Sequence, residues 1–276
     1  MRYVVGYTPN ERGADAIALA SVIARTQGAR LDLVYVVGDK AALVQDAVAV
    51  KRDALDLVPK GVQAEFHVRA ADSFASGLIE AAVEYSALLI VVGAASNGLF
   101  KRFTVGSVAN ALLHASPVPV ALAPRGYQRT EPLTRLTAMV GTREGWESVT
   151  DVGINAAGRR DLPLRLVSVV ELDELMQRHY ELSNALSPAR QHANTVLTEA
   201  AQRRSGGSTT VTLAHGRTIE EAVDSLGWED GELVIVGSSR LAERRKLFMG
   251  ATANKILRAL PVPMVVVPRD YERIDG

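Results

Sequence analysis

Ser116-Pro117-Val118-Pro119-Val120-Ala121-Leu122-Ala123-Pro124-Arg125-Gly126-Tyr127 recurs as Leu260-Pro261-Val262-Pro263-Met264-Val265-Val266-Val267-Pro268-Arg269-Asp270-Tyr271. Pro117 and Pro261 set an offset of 144, and the same offset carries Gly93 to Gly237, Gly106 to Gly250, Ala109-Asn110 to Ala253-Asn254 and Leu112 to Ile256. A period this long marks a duplicated domain, since solenoid units run to only about 20–50 residues. Towards the start of each copy the offset falls. Val5-Gly6 aligns with Val140-Gly141 at 135 and Leu33-Val34 with Leu166-Val167 at 133, so the second copy carries an insertion mid-domain. The inserted stretch reads as a helix, with Ser187 as N-cap, Pro188 at the first helical position and a body from Ala189 to Arg204.

Within each copy, apolar runs of strand length alternate with longer segments of helical period, the pattern of a parallel sheet wrapped by helices. Strands are expected near 2–8, 31–37, 63–69, 87–93 and 118–124, and again near 135–142, 164–171, 208–215, 232–238 and 262–268. The run Ala87-Leu88-Leu89-Ile90-Val91-Val92 has no polar alternation, so it is expected to be a central strand covered on both faces. Ahead of it, Phe74, Leu78, Ala81, Ala82 and Tyr85 recur at spacings of three and four, a helical stripe facing the sheet. The polar stretch from Arg125 to Pro132, broken by Gly and Pro, separates the copies. The expected domains are therefore 1–130 and 131–276, and the fold class is α/β: two tandem doubly wound five-stranded parallel-sheet domains.

Both fifth strands begin Pro-Val-Pro. Proline cannot donate to a ladder, so each strand is expected at or near a sheet edge, yet its apolar continuation needs cover. Intramolecular pairing of the final strands, 118–124 against 262–268 across a pseudo-twofold, would supply it.

Lys plus Arg and Asp plus Glu both number 31, so no net field gathers nucleic acid or an anionic membrane, and any anion site must be local. There is no cysteine, which excludes disulfides, thiolate metal sites and thiol nucleophiles. The N-terminus runs straight into an apolar strand without the features of a signal peptide, and no run has the length of a membrane span. A cytoplasmic location is expected.

The first copy passes from strand to helix through Gly93-Ala94-Ala95-Ser96-Asn97-Gly98-Leu99-Phe100-Lys101-Arg102-Phe103-Thr104-Val105-Gly106-Ser107. Glycines at both ends let the backbone turn and approach a ligand, and the helix start presents N–H groups and a positive dipole end to an anion. In a doubly wound sheet this crevice lies at the carboxyl ends of the strands, where ligands bind.

At these residues the chain resembles the universal stress protein family. Nucleotide-binding members carry Gly, two residues, Gly, nine residues, then Gly followed by Ser or Thr. Gly93 to Gly106 and Gly237 to Gly250 both keep that spacing, each followed by Pro-Val-Pro. The resemblance covers essentially the whole chain and implies a Rossmann-like fold of the adenine nucleotide alpha hydrolase kind. It also implies a cradle for ATP or a related nucleotide in the first copy, with Mg²⁺ only where ATP is bound. Gly93, Ser96, Gly98, Gly106 and Ser107 would form that cradle; Ser96 stands at the second glycine position, with Gly98 displaced from it. Ser107 occupies the hydroxyl position that contacts phosphate. Thr8 stands where the family's adenine-reading aspartate falls, with Thr142 as its counterpart in the second copy, and Val36 would flank the base. The second copy departs further, with Arg240 at the second glycine and Ala251 at the hydroxyl position ahead of Thr252.

Basic pairs Lys101-Arg102 and Arg245-Lys246 recur in the two loops, as phosphate partners or as a solvated face. His67, His114, His179, His192 and His215 show no metal-ligand spacing, so no metal is expected; His114 reads as a cation at a helix C-terminus. Ser107 could equally cap its helix. No P-loop or Gly-x-Ser-x-Gly elbow is present. The expected function is regulatory and non-catalytic, through adenine nucleotide binding. The alternatives are a nucleotide-free protein-interaction module, which the departures at Ser96, Arg240 and Ala251 favour, and a slow nucleotide hydrolase. Two chains could also pair as a homodimer.

Overall fold

The computed structural model describes residues 1–38, 47–94, 106–142, 146–171, 188–204, 206–238, 247, 249–269 and 271. In the first copy, β1 (Arg2–Gly6), α1 (Glu11–Gln27), β2 (Arg30–Val37), α2 (Ala47–Asp56), β3 (Ala64–Ala70), α3 (Phe74–Glu84), β4 (Leu89–Gly93), α4 (Ser107–Ala115) and β5 (Val120–Ala123) alternate. The second repeats them as β6 (Arg135–Met139), α5 (Glu147–Gly158), β7 (Leu164–Glu171), α6 (Pro188–Gln202), β8 (Thr209–Gly216), α7 (Ile219–Asp224), β9 (Glu232–Gly237), α8 (Ala251–Ala259) and β10 (Met264–Val267). Each expected strand is present. α6 begins at Pro188, whose missing N–H costs nothing at a first helical position; Ser187 lies outside the described residues. Among the described residues no helix is long and apolar enough to cross a membrane.

The strands form one ten-stranded sheet in the order β3-β2-β1-β4-β5-β10-β9-β6-β7-β8. Within each copy every ladder is parallel; the seam between copies is antiparallel, with Met264 opposite Leu122, Val265 opposite Ala121 and Val266 opposite Val120. Pro119 and Pro263 stand just before the paired residues, so neither removes a donor from the seam. β4 lies in the sheet interior between β1 and β5, and β1 is the middle strand of its copy.

Register corrects one alignment made from sequence. Val5 pairs with Leu33 and Val91, while Ala138 pairs with Leu166 and Ile235. The first strands therefore correspond at an offset of 133, the value already seen for Leu33 and Leu166. Gly6 matches Met139 and Thr8 matches Gly141, so Thr142 is not the counterpart of Thr8. The shared Val-Gly pair is a coincidence that the ladder overrules, because one face of each strand must meet the same helices.

Helices cover both faces. One core joins α3, α4, α7 and α8 through residues such as Leu78, Leu112, Val223 and Leu257. The other joins α1, α2, α5 and α6 through Ile17, Ala54, Val149 and Leu197. The stripe on α3 faces the sheet as expected, with Leu78, Ala81 and Ala82 buried and Phe74 and Tyr85 packed beside them. Both cores run unbroken across the seam. The connecting segment is pinned as well: the Gly126 N–H donates to Asp15 Oδ2 at 3.0 Å, and Arg129 donates to Asp230 and to the Pro132 carbonyl, each at 2.7 Å.

Two carboxylates are fully buried near the amino ends of the strands. Asp32 accepts from Arg2 at 2.6 and 2.8 Å, and His67 Nε2 lies 3.0 Å from it. Glu232 accepts from Arg135 and Arg165, both at 2.6 Å, and from Thr137. Arg2 stacks on Tyr85 and Arg165 on Trp228. Burial favours the neutral acids, but hydrogen bonds from Arg2 and His67 to Asp32, and from Arg135 and Thr137 to Glu232, prevail and hold both pKa values below the ordinary 3.8 and 4.5. The unfolded chain then binds protons more readily in acid, so these groups add stability above the ordinary carboxylate pKa values and lose it as pH falls through their folded ones. Urea midpoints should accordingly be flat near neutrality and drop steeply below about pH 4.5. Glu232→Leu, which strands the buried Arg165, should cost about 3–5 kcal/mol and flatten the acid limb.

Candidate functional site

The chain leaves β1 towards β2 on one side and returns to β4 on the other, so the carboxyl ends of β1 and β4 flank the switch point of the first copy. At such a point diverging loops leave a crevice. Thr8 follows β1, Val36 sits one residue before the end of β2, and Gly93 ends β4. α4 runs back from this edge towards β5, which leaves its N-terminus, Gly106 and Ser107, facing the crevice. Thr8, Val36, Gly93, Gly106 and Ser107 thus share one edge of the sheet. Ser96 and Gly98 lie outside the described residues, as do Lys101, Arg102, Arg240, Arg245 and Lys246.

Gly106, not Ser107, is the N-cap of α4. It is extended (φ −76°, ψ 169°), no side chain caps the helix, and its first turn contains no acid. That conformation does not call for glycine, and Asp or Ser would cap better. Ser107 is the exposed first helical residue. The positive end of the α4 dipole is therefore left without a side-chain acceptor from the described residues, an arrangement suited to an anion. At the other end of α4, His114 Nδ1 lies 2.7 Å from the Asn110 carbonyl, consistent with its reading as a C-terminal partner.

Thr8 Oγ1 donates to Asn10 Oδ1 at 2.9 Å, and Asn10 caps α1 by accepting the N–H groups of Arg12 and Gly13. With its proton committed, the Thr8 hydroxyl keeps lone pairs that can accept from an amino group. Val36 is half-buried beneath α3, packed at Gly77. Gly93 has a packing reason that the loop motif did not reveal: a Cβ there would stand 2.3 Å from the Arg12 carbonyl oxygen. The end of β4 thereby touches the first turn of α1, and exposed Arg12 adds a cation to this rim. Asn10 and Arg12 went unnoticed in the sequence because their relevance depends on that contact.

The second copy keeps the glycines, as Gly237 and Gly250, and adds contacts of its own. His192 of α6 lies 2.7 Å from the Thr142 carbonyl. Leu247 and Met249, just ahead of α8, are sunk into the core, and the Leu247 N–H donates to the Ser116 carbonyl of the first copy at 3.1 Å. Gly250 again caps without a side chain, but Asn254 Nδ2 donates to the Met249 and Gly250 carbonyls, and exposed Ala251 brings no hydroxyl.

Spacing along the chain also missed Asp32, Glu65 and His67, whose ligand atoms lie within 4.8 Å of one another on neighbouring strands. Arg2 is 2.6 Å and Arg30 3.7 Å from Asp32, and Arg30 is 2.8 Å from Glu65. Guanidinium groups thus stand where a metal cation would, and the trio reads as an ion-pair network.

Gly93→Ala should cost about 1–3 kcal/mol in chemical denaturation, because its methyl group meets rigid backbone. Gly237→Ala should cost less, since its methyl meets the end of a single side chain, Val149 Cγ2 at 2.7 Å.

Known proteins agree with this architecture. The sequence profile of the universal stress protein family matches residues 1–124 and 137–268. A universal stress protein of Mycobacterium bovis is 29% identical, covering 97% of this chain and all of that protein, and one from Mycobacterium tuberculosis matches equally. Among solved structures, a Pseudomonas aeruginosa protein described as functionally unknown superposes with a TM-score of 0.67 at 16% identity, covering 98% of this chain and 92% of that one. A universal stress protein of Archaeoglobus fulgidus gives 0.63 at 16%, covering 97% and 98%. With two matches of the family profile spanning nearly its whole length, this chain belongs to the universal stress protein family as a tandem member.

Proposed function

We propose that the protein is a cytoplasmic, non-catalytic regulator that binds ATP or a related adenine nucleotide in its first copy. The observation that carries this reading is the α4 N-terminus at the carboxyl edge of the sheet, with a glycine cap, no side-chain cap among the described residues and no acid in its first turn. The donor set fits the ligand. N–H groups of the first turn of α4 and the Ser107 hydroxyl would hold phosphate, with Gly93, Ser96 and Gly98 completing the cradle. Thr8 Oγ1 would accept from the adenine amino group beside Val36. Mg²⁺ would enter only with bound ATP. Among the described residues Ser107 makes no hydrogen bond to a histidine or carboxylate, which favours binding over nucleophilic chemistry.

The second copy supports a different reading of its own half. With Arg240 at the second glycine position, Ala251 at the hydroxyl position and His192 on the Thr142 carbonyl, that half would offer a surface to protein partners rather than a nucleotide seat.

Denaturing protein purified without added nucleotide and analysing the supernatant, together with calorimetric titration, checks the proposal; one adenine nucleotide per chain is expected. Gly106→Asp keeps a good N-cap but sets a carboxylate where phosphate would sit. It should abolish ATP binding with the melting temperature unchanged, while Ser107→Ala weakens binding severalfold. Silence in both assays, or full binding by Gly106→Asp, would return the first copy to the interaction-module reading.

A further inference from the structure

We infer that two molecules of this protein associate through β8, pairing antiparallel across a twofold axis so that two ten-stranded sheets join into one. β8 closes one end of the sheet and, among the described residues, forms a ladder with β7 alone. That ladder runs without a bulge from Leu164 opposite Thr209 to Glu171 opposite Gly216. The Leu164 N–H donates to the Ser208 carbonyl at 2.9 Å. By the two-residue alternation of a strand, Thr210, Thr212, Ala214 and Gly216 then also turn their amide groups to β7, while Thr209, Val211, Leu213 and His215 turn theirs outward.

The residues of the strand do not guard that edge. Thr209–Gly216 contains no proline, lysine, arginine, aspartate or glutamate, only Ala214 is buried, and Val211 is 46% exposed. The strand at the opposite end is defended: β3 carries Glu65, paired with Arg30, and Arg69, paired with Glu80 and Glu84. Charges of this kind oppose edge pairing, whereas a long uncharged edge rich in threonine and valine invites it.

The sequence of β8 is complementary to itself. One antiparallel register matches every outward-facing residue, setting Thr209 opposite His215 and Val211 opposite Leu213, with Thr212 opposite its own counterpart on the axis. A shift of that register by two residues leaves an outward residue of each molecule unmatched. In the full register apolar side chains meet, β-branched threonines face each other at the centre, and no like charges are opposed. The β5–β10 seam uses the same device within one chain, an antiparallel junction between two parallel ladders. The edges left at either end of the joined sheet are the charged β3 strands, so the contact is isologous and closes at two molecules. A single strand pair is a small interface, and the molecules should separate on dilution. The inference does not depend on nucleotide binding.

Sedimentation of the full-length protein up to about 0.5 mM, where even a millimolar association shows, should give a reversible monomer–dimer equilibrium. The chain has no cysteine, so single thiols report which residues meet. Thr212→Cys would face its own counterpart in a pair whose Cα atoms lie about 4.5 Å apart, within disulfide reach. Mild oxidation should crosslink it about tenfold faster than Thr210→Cys, which would face Ala214, or Val48→Cys, an exposed position on α2. Thr212→Lys, which sets two ammonium groups face to face, should weaken association severalfold, and an equal amount of Thr212→Glu should restore it. A protein that stays monomeric at the highest concentration would overturn the inference. So would a dimer in which Thr212→Cys crosslinks no faster than Val48→Cys, because its molecules would then meet through another surface.

Discussion

An unpaired edge on a strand buried on both faces is the constraint around which this molecule is arranged. β5 and β10 are apolar along their whole length, and backbone N–H and C=O groups beside such a surface template aggregation unless another strand takes them. Val120, Met264 and Val266 are inaccessible to solvent, with their side chains in one core and their backbones paired across the seam. Duplication within one chain makes that completion intramolecular. The prolines ahead of both strands limit the ladder to the residues beyond them.

The continuous sheet has consequences on either side. Each core spans both copies, so the copies need not be equally self-sufficient, and they have diverged. The first keeps the α4 N-terminus unblocked by any described side chain, beside Gly93 and Thr8. In the second, Leu247 and Met249 are buried in the core, His192 meets the Thr142 carbonyl and Asn254 donates to the Met249 carbonyl. The buried charges were also reassigned. Asp32 on β2 serves the first copy, whereas Arg165 occupies the matching place on β7 and the carboxylate moved to Glu232 on β9. Either solution keeps an arginine from the opening residue of the first strand and an aromatic ring over a guanidinium.

Much of the fold was legible in the sequence because duplication and period are properties of linear order. The Pro-Val-Pro segments, the glycine spacing and the run Ala87–Val92 required no knowledge of neighbours. What escaped depends on neighbours. The Val140-Gly141 match misled because two identical residues outweighed a register that only pairing reveals. Asp32, Glu65 and His67 converge across adjacent strands, and Gly93 owes its small size in part to Arg12, which no motif connects with it. Of the candidate site, the helix start at Gly106 and Ser107 was legible; that Gly106 rather than Ser107 caps the helix comes from backbone angles, which residue types alone do not settle.

Hydrogen–deuterium exchange of the intact chain, resolved to peptides covering 120–123 and 264–267, tests the seam most directly, because the same protein supplies its own controls. Both segments should exchange as slowly as the interior strands β1 and β9. Exchange of either segment at the faster rate of the outer strands β3 and β8 would mean that the final strands are open edges, and would contradict the single ten-stranded sheet.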